Sequence, residues 1–284
     1  MQASLWFFVE DISFGYALPQ MPNTLAVGDI MSGRPGKALP RDLEDFLSAS
    51  KEGVILVSFG SYFDVDMPEI VEKFCDAFTD KTNRLRVIWK MKDTKACSSD
   101  DGRIKLMSWI PQNDLLADPR VQMFISHGGL NSIIESVYHA KPLIIFPIYA
   151  DQPSNAASAE AKGLAVRMDF GDFSSGTLLS NINKLLHDST YKRNARLSSA
   201  ILRDRPHTVA QRVSAMIDHV IKYGDEHLRT GAFELSTAQF FMFDIFAFLL
   251  TACIAVLLAV ILLCYCCYRT CRRCCCTRKK LKTS

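Results

Sequence analysis

The strongest constraint in this chain is an uninterrupted apolar run near its end. From Ile245 to Tyr268, IFAFLLTACIAVLLAVILLCYCCY, 24 residues carry no charge. About 20 apolar residues in a helix cross the roughly 30 Å hydrocarbon layer of a bilayer. A buried core helix is usually shorter and keeps a polar stripe, and a secretory signal lies at the other end of a chain. Residues 245–268 are therefore read as a transmembrane helix in contact with membrane lipid, which holds the rest of the chain to a surface.

The flank sets the orientation. Arg269, Arg272, Arg273, Arg278, Lys279, Lys280 and Lys282 follow the run, with no acidic residue among them. Positive charge close to a span end marks the cytosolic side, so the preceding residues belong in a lumen or outside the cell. The whole chain carries +3, less than these seven charges supply, so the remainder is net acidic. It offers no electrostatic case for nucleic acid. Lys280 and Lys282 resemble a dilysine-type signal that returns membrane proteins to the endoplasmic reticulum. The expectation is a single-pass type I protein of that membrane, with a lumenal globular part and a cytosolic tail over 269–284.

Cysteine placement agrees. Seven of the ten cysteines lie between Cys264 and Cys276, and Cys253 is inside the run. Only Cys75 and Cys97 remain in the globular part, too few for a disulfide framework. The cluster beside the span suits S-palmitoylation. Zinc through Cys271 and Cys274 lacks a histidine and a second spaced pair. The opening MQASLWFFVE is too short for a signal peptide and has no basic start, yet the topology requires translocation. That conflict is read as the mark of a partial chain.

Before the span, apolar strands alternate with amphipathic helices. GVILVSFGS (53–61), LRVIWKM (85–91), IKLMSW (104–109), VQMFIS (121–126), PLIIFP (142–147) and 164–168 read as strands. Residues 67–78, 113–117, 130–139, 152–162, 174–187 and 190–203 read as helices. This order argues an α/β fold: a parallel sheet covered on both faces, over residues 53–205. Residues 1–52, rich in Pro and Gly, read as a linker and the remnant of another domain. Residues 206–222 form one more amphipathic helix, through Val209, Val213, Met216 and Val220, and 206–244 lead to the membrane.

In an open parallel sheet, ligands sit beyond the carboxyl ends of the strands. There the sequence gathers its unusual polar residues. Strand 121–126 runs into Ser126-His127-Gly128-Gly129-Leu130-Asn131-Ser132 and a helix opens at once. Glycines admit a ligand close to the backbone, and a helix N-terminus favours phosphate. His127, Asn131 and Ser132 add donors. Glu135, one turn further, suits a pair of ribose hydroxyls, and Asp151 and Gln152 suit sugar hydroxyls. Trp109 offers a flat face for a base, with Gln112 in reach. Taken singly, each has a bland alternative: a tight turn, a core tryptophan, a solvated glutamate. Their occurrence at strand ends in one stretch changes the balance. No G-x-G-x-x-G follows a strand, which removes a dinucleotide oxidoreductase.

The order W-x2-Q…H-G-G-x-N-S-x2-E…P…D-Q over residues 109–152 resembles the signature of the UDP-glycosyltransferases. Similarity runs from about Met21 to the tail and includes Ser58-Phe59-Gly60-Ser61 and Trp109-Ile110-Pro111-Gln112-Asn113-Asp114-Leu115-Leu116. The terminal span with a basic tail is like the animal glucuronosyltransferase branch. Met216 stands where animal members usually carry a Trp.

This resemblance implies the C-terminal, Rossmann-like, donor-binding domain of a GT-B fold plus one transmembrane helix. It implies Trp109 on uracil, Gln112 and Glu135 on ribose, and Ser61, His127, Gly129, Asn131 and Ser132 on the diphosphate, with Asp151 and Gln152 on the sugar. It implies transfer from a UDP-sugar, glucuronate first and glucose second, to a small lipophilic acceptor with inversion. UDP-sugar is then a co-substrate, with no cofactor and no metal. The family's catalytic base is a histidine of the N-terminal domain, matched by none of the six here, so no catalytic residue is assigned in this chain. A different class of reading makes the chain a membrane-bound partner that pairs with itself or with full-length members and modulates them.

Overall fold

The computed structural model describes residues 3–11, 13–28, 34–61, 63 and 65–280, the last ten as backbone. Two short parallel strands come first, β1 (Trp6–Phe8) and β2 (Thr24–Ala26), followed by helix α1 (Arg41–Ser48). Residues 1–52, read from sequence as a linker and the remnant of another domain, contain one helix that packs into the core. Leu43 and Leu47 of α1 are fully buried. Glu44 of α1 takes both Arg120 guanidinium nitrogens at 2.8 Å. The helix escaped the sequence reading because its apolar positions are few and sit among acids behind Pro40.

Six strands make the main sheet: β3 (Val54–Ser58), β4 (Arg86–Lys90), β5 (Ile104–Met107), β6 (Val121–Ser126), β7 (Leu143–Ile145) and β8 (Ala165–Arg167). Their order is β5-β4-β3-β6-β7-β8, and every neighbouring pair is parallel. All five residues of β3 are buried, as expected of a strand covered on both faces. The chain lays down β3, β4 and β5 in one direction, then returns to add β6 on the other side of β3. Strand order reverses there, and the crevice at such a reversal is where doubly wound sheets bind ligands.

Alternate residues of β3 enter two separate cores. Ile55 and Val57 meet α2 (Pro68–Thr79) and α6 (Ser175–His187) through Phe74, Phe78, Ile182 and Leu185. Val54 and Leu56 join the other core with α1, α3 (Gln112–Ala117), α4 (Leu130–Tyr138), α5 (Gln152–Ala161) and α7 (Ser189–Arg203). This is the α/β architecture the alternation predicts. Near the carboxyl ends of β3 and β7 the first core is aromatic. Phe59 lies 5.7 Å from Phe74, 6.3 Å from Phe146 and 5.3 Å from Phe170, ring centre to ring centre, stiffening the floor on which the loops stand.

Cys75 of α2 and Cys97, in the loop after β4, form a disulfide with Cα atoms 5.8 Å apart. Two cysteines do not make a framework, but they make one bridge. Closing a loop of this length restricts the unfolded chain by about 3 kcal/mol.

Helix α8 (Val209–Tyr223) follows. Its Val209, Val213, Met216 and Val220 are half-buried, and Arg212 donates to the Ala26 carbonyl of β2 at 2.9 Å. Residues 1–225 form one compact unit and 226–284 a second, so α8 belongs with the sheet rather than with the pre-membrane segment. The second unit contains α9 (Thr237–Phe240) and α10 (Phe243–Lys280). Within α10, Phe243–Thr270 is long and apolar enough to cross a membrane. Lys282 of the dilysine pattern lies outside the described residues.

Candidate functional site

At the reversal point a cleft of about 450 Å3 opens over the carboxyl ends of β3, β4, β5 and β6. Seven of the residues singled out in the sequence line it: Ser61, Trp109, Gln112, His127, Gly129, Asn131 and Ser132. They come from three separate loops, which only the sheet brings together.

The β6–α4 turn is built around the His127 ring. Gly128 takes φ +84°, and a Cβ there would lie 2.7 Å from Ile145 Cγ2. A Cβ on Gly129 would lie 2.4 Å from His127 Nε2, and one on Gly60, at φ +88°, 3.0 Å from the same atom. The sequence reading gave the glycines to close approach of a ligand. The structure gives Gly60 and Gly129 a nearer task, leaving room for the imidazole between the β3 and β6 loops.

Burial pushes the His127 pKa below its ordinary value. The nearby Asp151 charge and the Ser58 carbonyl oppose that shift, and Lys90 adds to it. The ring is therefore neutral at pH 7 and acts as a hydrogen-bonding group, not a fixed cation. Positive potential comes instead from two sources. One is the amino end of α4, where among the described residues no side chain caps the helix after Gly129. Its first N–H groups have no partner inside the helix and face an anion favourably. The other is Lys90, the last residue of β4, which lines the cleft and donates to the Gly60 carbonyl. The sequence reading passed over Lys90 as an ordinary strand end. Its signal was position: a lysine closing a buried strand beside the reversal point.

At the other end of the cleft the side chains are already wired together. Gln112 Nε2 donates to Glu135 Oε2 at 2.7 Å and to Ser132 Oγ at 3.2 Å. Ser132 is only 7% exposed, so it stands with the carboxamide–carboxylate pair. Trp109 is 68% exposed. A core tryptophan would be buried, whereas this indole presents a bare face beside Gln112.

Asp151 and Gln152, at the start of α5, do not line this cleft. Gln152 is 4% exposed, and its Oε1 accepts from the backbone N–H groups of Ile148 at 2.8 Å and Tyr149 at 3.1 Å. It holds its own loop. Asp151 accepts from Asn155 Nδ2 at 2.6 Å, and the same nitrogen donates to the Gly128 carbonyl at 3.1 Å. Asn155, unremarked in the sequence reading, thus ties this loop to the glycine turn. Lys141 is committed elsewhere: it donates to the carbonyls of Asp118 at 2.8 Å and Val121 at 2.7 Å. Among the described residues, His127 is the sole histidine lining the cleft. His139 is withdrawn, its Nε2 3.0 Å from Asn113 Oδ1 and its pKa lowered by burial to about 4.

Comparison with known proteins identifies the family. The family model described as UDP-glucoronosyl and UDP-glucosyl transferase matches residues 1–281. Human UDP-glucuronosyltransferase 3A2 is 35% identical over 259 residues, which is 88% of this chain and 48% of that protein. Human UDP-glucuronosyltransferase 2B7 is 34% identical over 265 residues, 93% of this chain and 49% of that one. The chain thus spans about half the length of the curated relatives it matches. Among solved structures, the glycotransferase of kitacinnamycin superposes with TM-score 0.57 at 22% identity, over 69% of this chain and 49% of that one. Os79 from O. sativa in complex with UDP gives 0.56 at 21%, over 66% and 46%. At such identities these two likenesses speak for the fold alone, which is that of the glycosyltransferases. On the family match and the sequence identity to its relatives, the chain belongs to the UDP-glucoronosyl and UDP-glucosyl transferase family.

Proposed function

We propose that this chain is the UDP-sugar-binding half of an inverting glycosyltransferase that passes a sugar, glucuronate first and glucose second, to a small lipophilic acceptor. The observation that carries the reading is one cleft with two unlike ends. A bare indole, Gln112 and Ser132 line one end, with Glu135 bonded to Gln112. An uncapped helix amino end, Lys90 and a neutral His127 stand at the other. The indole face receives uracil, and the Glu135 carboxylate, held by Gln112, accepts from the ribose hydroxyls. Ser61, Asn131, the Gly129 turn and the helix N–H groups hold the diphosphate, with the imidazole as donor and Lys90 as the compensating charge. Asp151 and Gln152 flank the sugar from the neighbouring loop.

The same reading places the globular unit in the lumen of the endoplasmic reticulum, with α10 across its membrane. Three features support it: the apolar stretch Phe243–Thr270, the basic residues that follow it, and the Cys75–Cys97 bridge. Disulfides persist in oxidising compartments.

Calorimetric titration of UDP-glucuronate into the detergent-solubilised full chain tests the donor role. Losing a hydrogen bond to a charged group costs roughly 1.5–3 kcal/mol. Glu135→Ala is therefore expected to weaken binding about 10- to 150-fold. Unchanged affinity in the variant would remove Glu135 from the ribose role, and no saturable heat with the parent chain would remove the donor site.

A further inference from the structure

We propose that Cys264, Cys266 and Cys267 are sites of S-acylation by a long-chain fatty acid. The inference rests on the reading of α10 as a span with its C-terminal end in the cytosol. It concerns chemistry that the donor cleft does not use.

Depth is the first argument. The uncharged part of α10 begins at Ile245, after Asp244. At 1.5 Å per residue, Cys264 to Cys267 lie roughly 29–33 Å along the helix axis from there, where a hydrocarbon layer of about 30 Å ends. The neighbours mark the same level. Tyr265 and Tyr268 interleave with the cysteines. Tyrosine collects at the membrane–water interface. Arg269 is the first charge after the run, and the basic residues beyond it hold this segment against anionic headgroups.

Availability is the second. Cys264, Cys266 and Cys267 are all free thiols, as is Cys253. Cys253 lies in mid-span, out of reach of an acyl donor in the cytosol. Three thiols within four residues at the interface are within its reach. The sequence repeats the pattern, with cysteines at 264, 267, 271 and 274 spaced by three, four and three residues.

The reaction is a thioester exchange. The cysteine sulfur attacks the carbonyl carbon of a fatty acyl-coenzyme A from the cytosolic side. The new carbon–sulfur bond to the protein forms as the bond to the coenzyme sulfur breaks. The thiol proton ends on the released coenzyme thiol, and nothing is oxidised or reduced. From this depth the acyl chain turns back into the hydrocarbon. A spanning helix is already held in the bilayer, so the added chain changes how deep and how tilted α10 sits, not whether it stays.

The test uses the full chain expressed in cells. Membranes are reduced, free thiols are blocked with N-ethylmaleimide, and hydroxylamine is used to cleave thioesters. A maleimide–polyethylene glycol tag then adds a mass step for each released cysteine. Alkaline carbonate extraction of the same membranes reads the anchor independently. The expected result is a hydroxylamine-dependent ladder on the carbonate-resistant chain. The ladder shortens when Cys264→Ser, Cys266→Ser and Cys267→Ser are combined, while carbonate resistance stays. A carbonate-resistant chain with no ladder overturns acylation and leaves the anchor standing. A ladder unchanged in the triple variant overturns the assignment to these cysteines. A chain found in the carbonate supernatant overturns the anchor, and the proposal with it.

Discussion

The cleft and the loop beside it are built on different principles. In the cleft the polar side chains bond one another: Gln112 to Ser132 and to Glu135. In the loop that opens α5, outside the cleft lining, they bond mainly backbone: Gln152 holds the N–H groups of Ile148 and Tyr149, and Asn155 holds the Gly128 carbonyl as well as Asp151. The first arrangement presents a set of side chains in fixed positions. The second spends its side chains on loop shape. On the proposed function, the contrast puts nucleoside recognition on the cleft side chains and leaves the sugar to a loop whose side chains are already bonded.

The indole is where this contrast breaks most easily. Base stacking on an aromatic side chain is worth about 1–3 kcal/mol. Trp109→Ala is therefore expected to weaken UDP binding about 5- to 150-fold, read by calorimetry, with the thermal transition unmoved because the side chain is exposed. A matching loss of thermal stability would make Trp109 a packing residue.

The diphosphate end answers to pH. Burial lowers the His127 pKa in the free site, and a diphosphate beside the ring favours the protonated form. The complex then holds the proton more tightly than the free chain, so affinity rises as pH falls between the two values and is flat outside them. Each unit of difference is tenfold in affinity. UDP-glucose suits the measurement, because its diphosphate diester does not titrate there. Binding is expected to tighten up to about tenfold from pH 8 to pH 5.5, and His127→Gln should flatten the profile. A flat profile in the parent chain would take His127 away from the phosphate.

The smallest effect on binding is expected at Gln152. Its Oε1 accepts two backbone bonds under cover, and leaving buried donors unsatisfied costs about 1–3 kcal/mol. Gln152→Ala should lower the thermal midpoint while UDP affinity stays within about twofold. A large affinity loss with unchanged stability would reverse the assignment and make the loop and the cleft alike.

Much of this was legible in the sequence, for reasons that differ by element. β3 and β6 were plain because a strand covered on both faces must be apolar throughout, and VILVS and VQMFIS are nearly so. The helices of the sheet were legible from apolar spacing such as Ile70, Phe74 and Phe78. α1 was not, because two buried leucines within eight residues make too short a period, and its attachment runs through Arg120, far along the chain. β1 and β2 were missed since three residues of uniform burial, exposed in β1 and half-buried in β2, carry no alternation. The Cys75–Cys97 pairing depends on where α2 meets the loop after β4, which no spacing reveals. In the cleft, residue types gave the candidates but not their partners. Trp109, Gln112 and His127 were nameable. That Ser132 would stand with Gln112, or that Gln152 would bond its own loop, depends on side-chain direction at strand ends.

The proposal that the nucleotide, and not the sugar, carries donor binding to this chain is tested by one ratio. UDP and UDP-glucuronate are titrated into the same preparation of the full chain under one buffer, and their dissociation constants compared. The account predicts values within about threefold, because the sugar meets side chains already committed to their own loop. Binding of UDP-glucuronate tighter than UDP by tenfold or more, about 1.4 kcal/mol from the sugar alone, would contradict it.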